Sequence, residues 1–121
     1  MAIEENDINY LEISREALRA NAAAVKEYVA CPVIGVLKCD GYGVSLLEAA
    51  EAWRSCGVTV FAVSEPQEAL ALRAAGVQED LLLLAPVADS DTLEELLCAD
   101  VILTVTGLEN ARFYREYAGD R

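Results

Sequence analysis

The stretch "VIGVLKCDGYGVSLLEAA", residues 33–50, decides how the rest of the chain is read: an apolar run ends in Lys38, Tyr42 stands between Gly41 and Gly43, and a helical pattern begins after Ser45. The run is apolar almost throughout rather than at alternate positions, which is the pattern of a parallel strand covered on both faces. Three further runs repeat it, "VTVFAV" at 58–63, "LLLLA" at 81–85 and "VILTV" at 101–105, at intervals of about two dozen residues. Helical patterns fill the gaps. Ser45 precedes Glu48 by three, Ser64 precedes Gln67, Asp91 precedes Glu94 and Thr106 precedes Glu109, so each junction has the spacing of a capping box or its Asp analogue. Gly57 and Gly76 stand where a left-handed residue ends a helix, and Pro66 falls in a first turn, where a missing N–H does no harm.

Upstream, "YLEI" at 10–13 reads as a short strand, and Ser14 to about Ala30 as a helix with Leu18, Ala22, Val25 and Val29 on one face. The fold class is α/β: four parallel βα units over residues 31–121, preceded by the N-terminal strand and helix of residues 1–30. No Gly/Ser linker or charge block divides residues 1–121, which read as a single domain. Alternating strands and helices make either an open doubly wound sheet or a closed (β/α)₈ TIM barrel, of which four units are half. Both use right-handed crossovers of the same length, so periodicity does not choose between them.

The 121 residues carry 9 basic and 21 acidic side chains, a formal charge of −12. That field repels a polyanion, so nucleic acid is not an expected partner. Cys31, Cys39, Cys56 and Cys98 form no C-x-x-C pair and the chain has no histidine, so no metal site is expected. Cysteines scattered in apolar segments are expected as small buried hydrophobes in a reducing compartment rather than as disulfide partners. The N-terminal "MAIEENDIN" lacks the basic start and apolar core of a signal peptide, and no apolar run reaches the ~18 residues of a membrane span. The expected location is cytoplasmic, away from membranes.

Lys38 ends its strand on the side where α/β proteins of both architectures place ligands and catalytic groups. Most lysines at strand ends are solvated surface residues, so position alone leaves both readings open. An ordinary lysine, with a pKa of about 10.4, is protonated at neutral pH and becomes nucleophilic only when burial or a nearby cation lowers that value. The chemistry that follows is a Schiff base with an aldehyde, and pyridoxal phosphate is the common cofactor held that way. Gly41 and Gly43 permit tight backbone beside a ligand, although Leu46 breaks the G-x-G-x-x-G of a dinucleotide site and the turn has the wrong length for a Walker loop.

"VLKCDGYG" resembles the cofactor-lysine motif of the alanine racemases, whose usual form is Lys-Ala-(Asn/Asp)-(Ala/Gly)-Tyr-Gly-His-Gly after a strand. "LEISREALRAN" is similar to that family's opening strand and first helix, "VFAVSEPQEALALRAAG" to its second barrel unit, and "DLLLLAP" and "DVILTVTGLENA" to its third and fourth. The resemblance implies a fold-type III enzyme that interconverts L- and D-alanine through pyridoxal phosphate, with Lys38 as the catalytic residue that carries the cofactor and moves the α-proton on one face. It implies Tyr42 as a donor to the cofactor phosphate. Val44 and Ser45 replace the family's His-Gly, so that histidine's hydrogen bonds have no counterpart.

Full-length family members continue through four more barrel units and a mainly β domain. Those later parts bear the second base, most of the phosphate site and the arginine that faces the pyridine nitrogen, whereas this sequence stops at Arg121. The expectation is an N-terminal part of such an enzyme, inactive alone. The alternatives are a pyridoxal-phosphate carrier of the related homeostasis group and a non-catalytic half-barrel assembly module. A half-barrel leaves strand edges and an apolar face bare, so a homo-oligomer, or completion by a C-terminal half, is expected.

Overall fold

The computed structural model describes residues 9–119. Its elements are α1 (Arg15–Tyr28), β1 (Ile34–Val36), α2 (Lys38–Tyr42), α3 (Leu46–Ser55), β2 (Val60–Val63), α4 (Pro66–Ala74), β3 (Asp80–Leu83), α5 (Ser90–Cys98), β4 (Val101–Leu103) and α6 (Leu108–Ala118). All four apolar runs become strands, paired in parallel, with Gly35 beside Phe61, Phe61 beside Leu81 and Leu81 beside Val101. Their order in space is β1-β2-β3-β4.

That order answers what periodicity left open. A doubly wound sheet reverses strand order at a switch point and so sends helices to both faces. Consecutive neighbours joined by right-handed crossovers put every helix on one face, which is the winding of a (β/α)₈ barrel. Burial agrees. Phe61, Val63, Leu81, Leu83 and Val101 on the covered face are buried and share one cluster with Leu72, Leu93 and Leu96 from the helices. On the opposite face Ile34, Val36 and Ile102 remain 51%, 38% and 49% exposed. Apolar side chains at that level of exposure along a sheet mark a face built to be covered.

Helix α1 begins where expected, with Ser14 Oγ accepting from the Ala17 N–H at 3.2 Å. Leu18 and Val29 are half-buried and Ala22 is buried, while Val25 stays exposed. Ser45 stands at the expected cap position of α3, and the caps of α4, α5 and α6 lie a residue or two from the positions that spacing suggested. Helix α4 is capped at Glu65 rather than Ser64, and Glu68, not Gln67, reaches back: its Oε2 accepts from the Ser64 and Glu65 N–H groups at 3.2 and 3.1 Å. Asp89 rather than Asp91 caps α5, accepting from the Thr92 N–H at 2.8 Å, and that bond holds its carboxyl below the usual aspartate range. Gly107 occupies the cap position of α6, and the Thr106 N–H donates to Asn110 Oδ1 at 3.2 Å. Ser45 makes no cap bond to α3. Pro66 opens α4, and Gly57 and Gly76 follow their helices at φ +80° and +85°, as the sequence indicated.

Residues 10–13 form no strand, contrary to expectation. An extended segment becomes a strand only when another strand pairs with its N–H and C=O groups, and among the described residues the sheet consists of β1 to β4 alone. At the end of the sheet where the strands begin, Arg73 supplies the closure: its guanidinium donates to the carbonyls of Ala99, Val77, Glu79 and Asp100 at 2.8 to 3.0 Å. These are the residues that lead into β3 and β4. A planar donor fork suits a set of converging carbonyls. Tyr114, buried on α6, accepts the Val87 N–H at 2.7 Å and ties that helix to the loop after β3.

Candidate functional site

The backbone around Lys38 departs from any ordinary strand-to-helix turn. Leu37 still extends the ladder, its N–H donating to the Ala62 carbonyl at 2.8 Å. Cys39, Asp40, Gly41 and Tyr42 then take φ values of +56°, +52°, +65° and +58°, which makes α2 a single left-handed turn. It is closed by the Gly41 N–H to the Leu37 carbonyl at 2.8 Å and the Gly43 N–H to the Cys39 carbonyl at 3.1 Å. Left-handed helix costs L-residues roughly 1–2 kcal/mol each, with Asp among the more tolerant. Cys39, Asp40 and Tyr42 therefore hold strained backbone that the surroundings must keep in place.

Three contacts do so. Gly41 is buried where a Cβ would come within 3.0 Å of the Ala49 Cβ and 3.3 Å of the Leu46 nitrogen, so the turn sits directly on the start of α3. Asp40 Oδ1 accepts the Leu46 N–H at 2.8 Å and supplies the cap that Ser45 does not. The Asp40 N–H in turn donates to Glu68 Oε1 at 3.2 Å, which joins the turn to the β2–α4 junction. Gly41→Ala combines left-handed strain with overpacking and is expected to destabilise the chain by about 2–4 kcal/mol. Gly43→Ala, at φ +84° with open space around the new methyl, is expected to cost only about 1 kcal/mol. Urea unfolding of the two variants measures the difference, and equal losses would mean that close packing at Gly41 contributes nothing.

Lys38 is half-buried at the C-terminal end of β1, two residues beyond Val36. No side chain among the described residues accepts a hydrogen bond from its amine. Tyr42 is on the same turn and 62% exposed. With Leu18, Ala22, Val36 and Trp53 it lines an apolar cleft of about 280 Å³ between α1 and α3, and Lys38 is not part of that lining. The turn thus places the two sequence-predicted site residues close along the chain without gathering them into one cleft. Glu68 escaped sequence reasoning. Its only signal was an acid in the first turn of α4, which the Ser64–Gln67 spacing obscured.

A lysine at the C-terminal end of a parallel strand supplies the primary amine that an aldehyde cofactor requires, so the residues present fit one. Comparison with known proteins adds to this geometry. The family described as "Alanine racemase, N-terminal domain" matches residues 13–121. The chain belongs to that family. Among curated alanine racemases, that of Syntrophobacter fumaroxidans is 37% identical over 90 residues, covering 73% of this chain and 24% of the relative. That of Prochlorococcus marinus is 31% identical over 111 residues, covering 90% and 29%. Of solved structures, the E. faecalis alanine racemase superposes with a TM-score of 0.77 at 31% identity over 84% of this chain and 28% of its own. The Bacillus anthracis alanine racemase with bound L-Ala-P gives 0.78 at 27% identity over 88% and 28%. This alanine-racemase N-terminal chain therefore spans 24% to 29% of the length of these relatives.

Proposed function

We propose that this chain, acting as one domain, supplies the lysine side of a pyridoxal-phosphate-dependent alanine racemase site. The observation that carries the reading is the placement of half-buried Lys38 at the C-terminal edge of a barrel-wound sheet, on a turn held in strained backbone. Lys38 anchors the cofactor and, at Nζ, takes or returns the substrate's α-proton on one face. Tyr42 offers its hydroxyl to the phosphate, by rotation of an exposed side chain. The bound cofactor would supply the electron-withdrawing ring that acidifies the α-carbon.

Two-base racemisation needs a second acid–base group on the opposite face. Of the tyrosines that could serve, Tyr114 is committed to the Val87 N–H, Tyr117 stacks edge-on against Phe113 at 5.1 Å, and Tyr10 and Tyr28 are 62% and 91% exposed, so none is enclosed opposite Lys38. The chain is accordingly expected to bind pyridoxal phosphate without converting L- to D-alanine. The test is incubation with pyridoxal phosphate, borohydride reduction and peptide mass mapping. Reduced cofactor concentrated on Lys38 supports the reading; none there, or an even spread over Lys38 and Lys26, overturns it.

The partners that go with this reading are a small amino acid as substrate, by resemblance to the family, and a second copy of the chain or a C-terminal half-barrel over the exposed apolar residues Ile34, Val36 and Ile102 of the sheet. Self-association is expected at micromolar concentration, and a monodisperse monomer in sedimentation velocity would count against it. Contrary to the expected burial, Cys31, Cys39 and Cys98 are exposed and Cys56 is half-buried; the setting we assign is the cytoplasm, where such thiols stay reduced. Among the described residues no helix is long and apolar enough to cross a membrane.

A further inference from the structure

We propose that Glu68 is a positioning residue for Lys38: its carboxylate clamps the left-handed turn onto the β2–α4 junction and so fixes the backbone from which the lysine side chain leaves. Both of its oxygens are occupied by backbone. Oε1 accepts the Asp40 N–H at 3.2 Å from 28 residues away in sequence, and Oε2 accepts the Ser64 and Glu65 N–H groups at 3.2 and 3.1 Å. An ionised carboxylate is an acceptor only, with sites enough for three donors, and its hydrogen bonds are roughly twice as strong as neutral ones. Among the described residues no other side chain bonds the backbone of α2.

The clamp falls where the fold needs it. Cys39, Asp40 and Tyr42 hold positive φ at a cost, and such backbone persists only when its surroundings over-determine it. Without the Glu68 bond the Asp40 N–H loses its partner, and the segment between Leu37 and Gly41 can relax toward ordinary turn geometry. Lys38 lies two residues from that N–H, so relaxation there moves its Cα and the direction of its side chain. A misplacement of about 1 Å is enough to cost a reaction roughly a hundredfold. With both oxygens engaged, Glu68 acts through the turn rather than as a base.

The proposal rests on the reading of Lys38 given above for the lysine's task, but the clamp itself does not. Amide hydrogen exchange of the whole chain by NMR tests the clamp, and pyridoxal phosphate capture by Lys38 tests its consequence. Glu68→Ala is expected to accelerate exchange at Asp40, Ser64 and Glu65 at least tenfold and to reduce capture at Lys38 at least tenfold, with Lys26 labelling unchanged. Glu68→Gln keeps one acceptor oxygen and turns a donor toward the other site, so Asp40 and the Ser64–Glu65 pair cannot both stay protected; it is expected to fall between, and it decides the matter if Glu68→Ala does not fold. Acceleration at Ser64 and Glu65 with Asp40 unchanged would reduce Glu68 to a helix cap and overturn the proposal. Unchanged capture in a variant whose Asp40 amide has lost protection would overturn it as well. If the unsubstituted chain captures no cofactor while Asp40 still responds to Glu68, the clamp stands and the function assigned to Lys38 falls.

Discussion

Lys38→Ala is expected to remove the specific cofactor adduct completely while leaving the urea midpoint nearly where it was. The chain has two lysines, which makes the experiment internally controlled. Lys26 lies in the last turn of α1 and lines a cleft with Ile34 and Thr59, at the end of the sheet where the strands begin. Lys38 lies at the other end. Nonspecific imine chemistry on surface amines labels both, and it survives the substitution on Lys26; the site-directed component does not. Lys38→Arg separates charge from nucleophilicity, because a guanidinium keeps the cation but stays protonated. Arginine should therefore behave as alanine does. The stability cost should stay within about 1 kcal/mol, since a half-buried side chain with no partner among the described residues belongs with ordinary surface substitutions. An adduct that persists at wild-type level in Lys38→Ala would remove the enzymatic reading and leave only common descent with the racemases.

The parts of this protein that could be read from sequence are those fixed by local chemistry. Continuous apolar runs found all four strands, though the ladders are shorter than the runs: Ile34–Val36 within 33–37, and Val101–Leu103 within 101–105. Pro66, Gly57 and Gly76 signalled helix ends because each acts through its own φ preference. The caps were less legible. In "SEPQEA" and "ADSDTLEE" several polar residues stand within one turn, any of them can accept an N–H, and only the exact entry angle of the chain selects Glu65 with Glu68, or Asp89. The left-handed turn was not legible at all. Gly41 and Gly43 announce freedom at two positions, but Cys39 and Tyr42 reach positive φ against their own preference, held by an Asp40–Leu46 bond and a Glu68 bond that exist only after β1 and β2 pair. Residues 10–13 fail for the converse reason: strand propensity forms no ladder without an edge to join.

The deepest structural loss should come from Phe61→Ala, and its size depends on Gly35. Phe61 is fully buried on β2 and is the register partner of Gly35 on β1. The absent side chain of Gly35 is the space its ring fills: a Cβ there would lie 2.9 Å from Phe61 Cδ1 and 3.4 Å from Trp53 Cγ. Truncating the ring removes its transfer energy and opens a cavity that Gly35 cannot help close, so the cost is expected at about 3–5 kcal/mol. Against a usual total of about 5–15 kcal/mol, that leaves little or no folded population. Gly35→Ala alone forces the ring aside and should cost about 1–3 kcal/mol. Combined with Phe61→Leu, however, the added methyl occupies volume that the smaller side chain vacates. The pair should therefore lose less than the sum of Gly35→Ala and Phe61→Leu, by at least about 1 kcal/mol in urea unfolding. Strict additivity would show that the two residues do not share that space, and the packing of β1 on β2, which sets Leu37 and hence Lys38 in place, would need another cause.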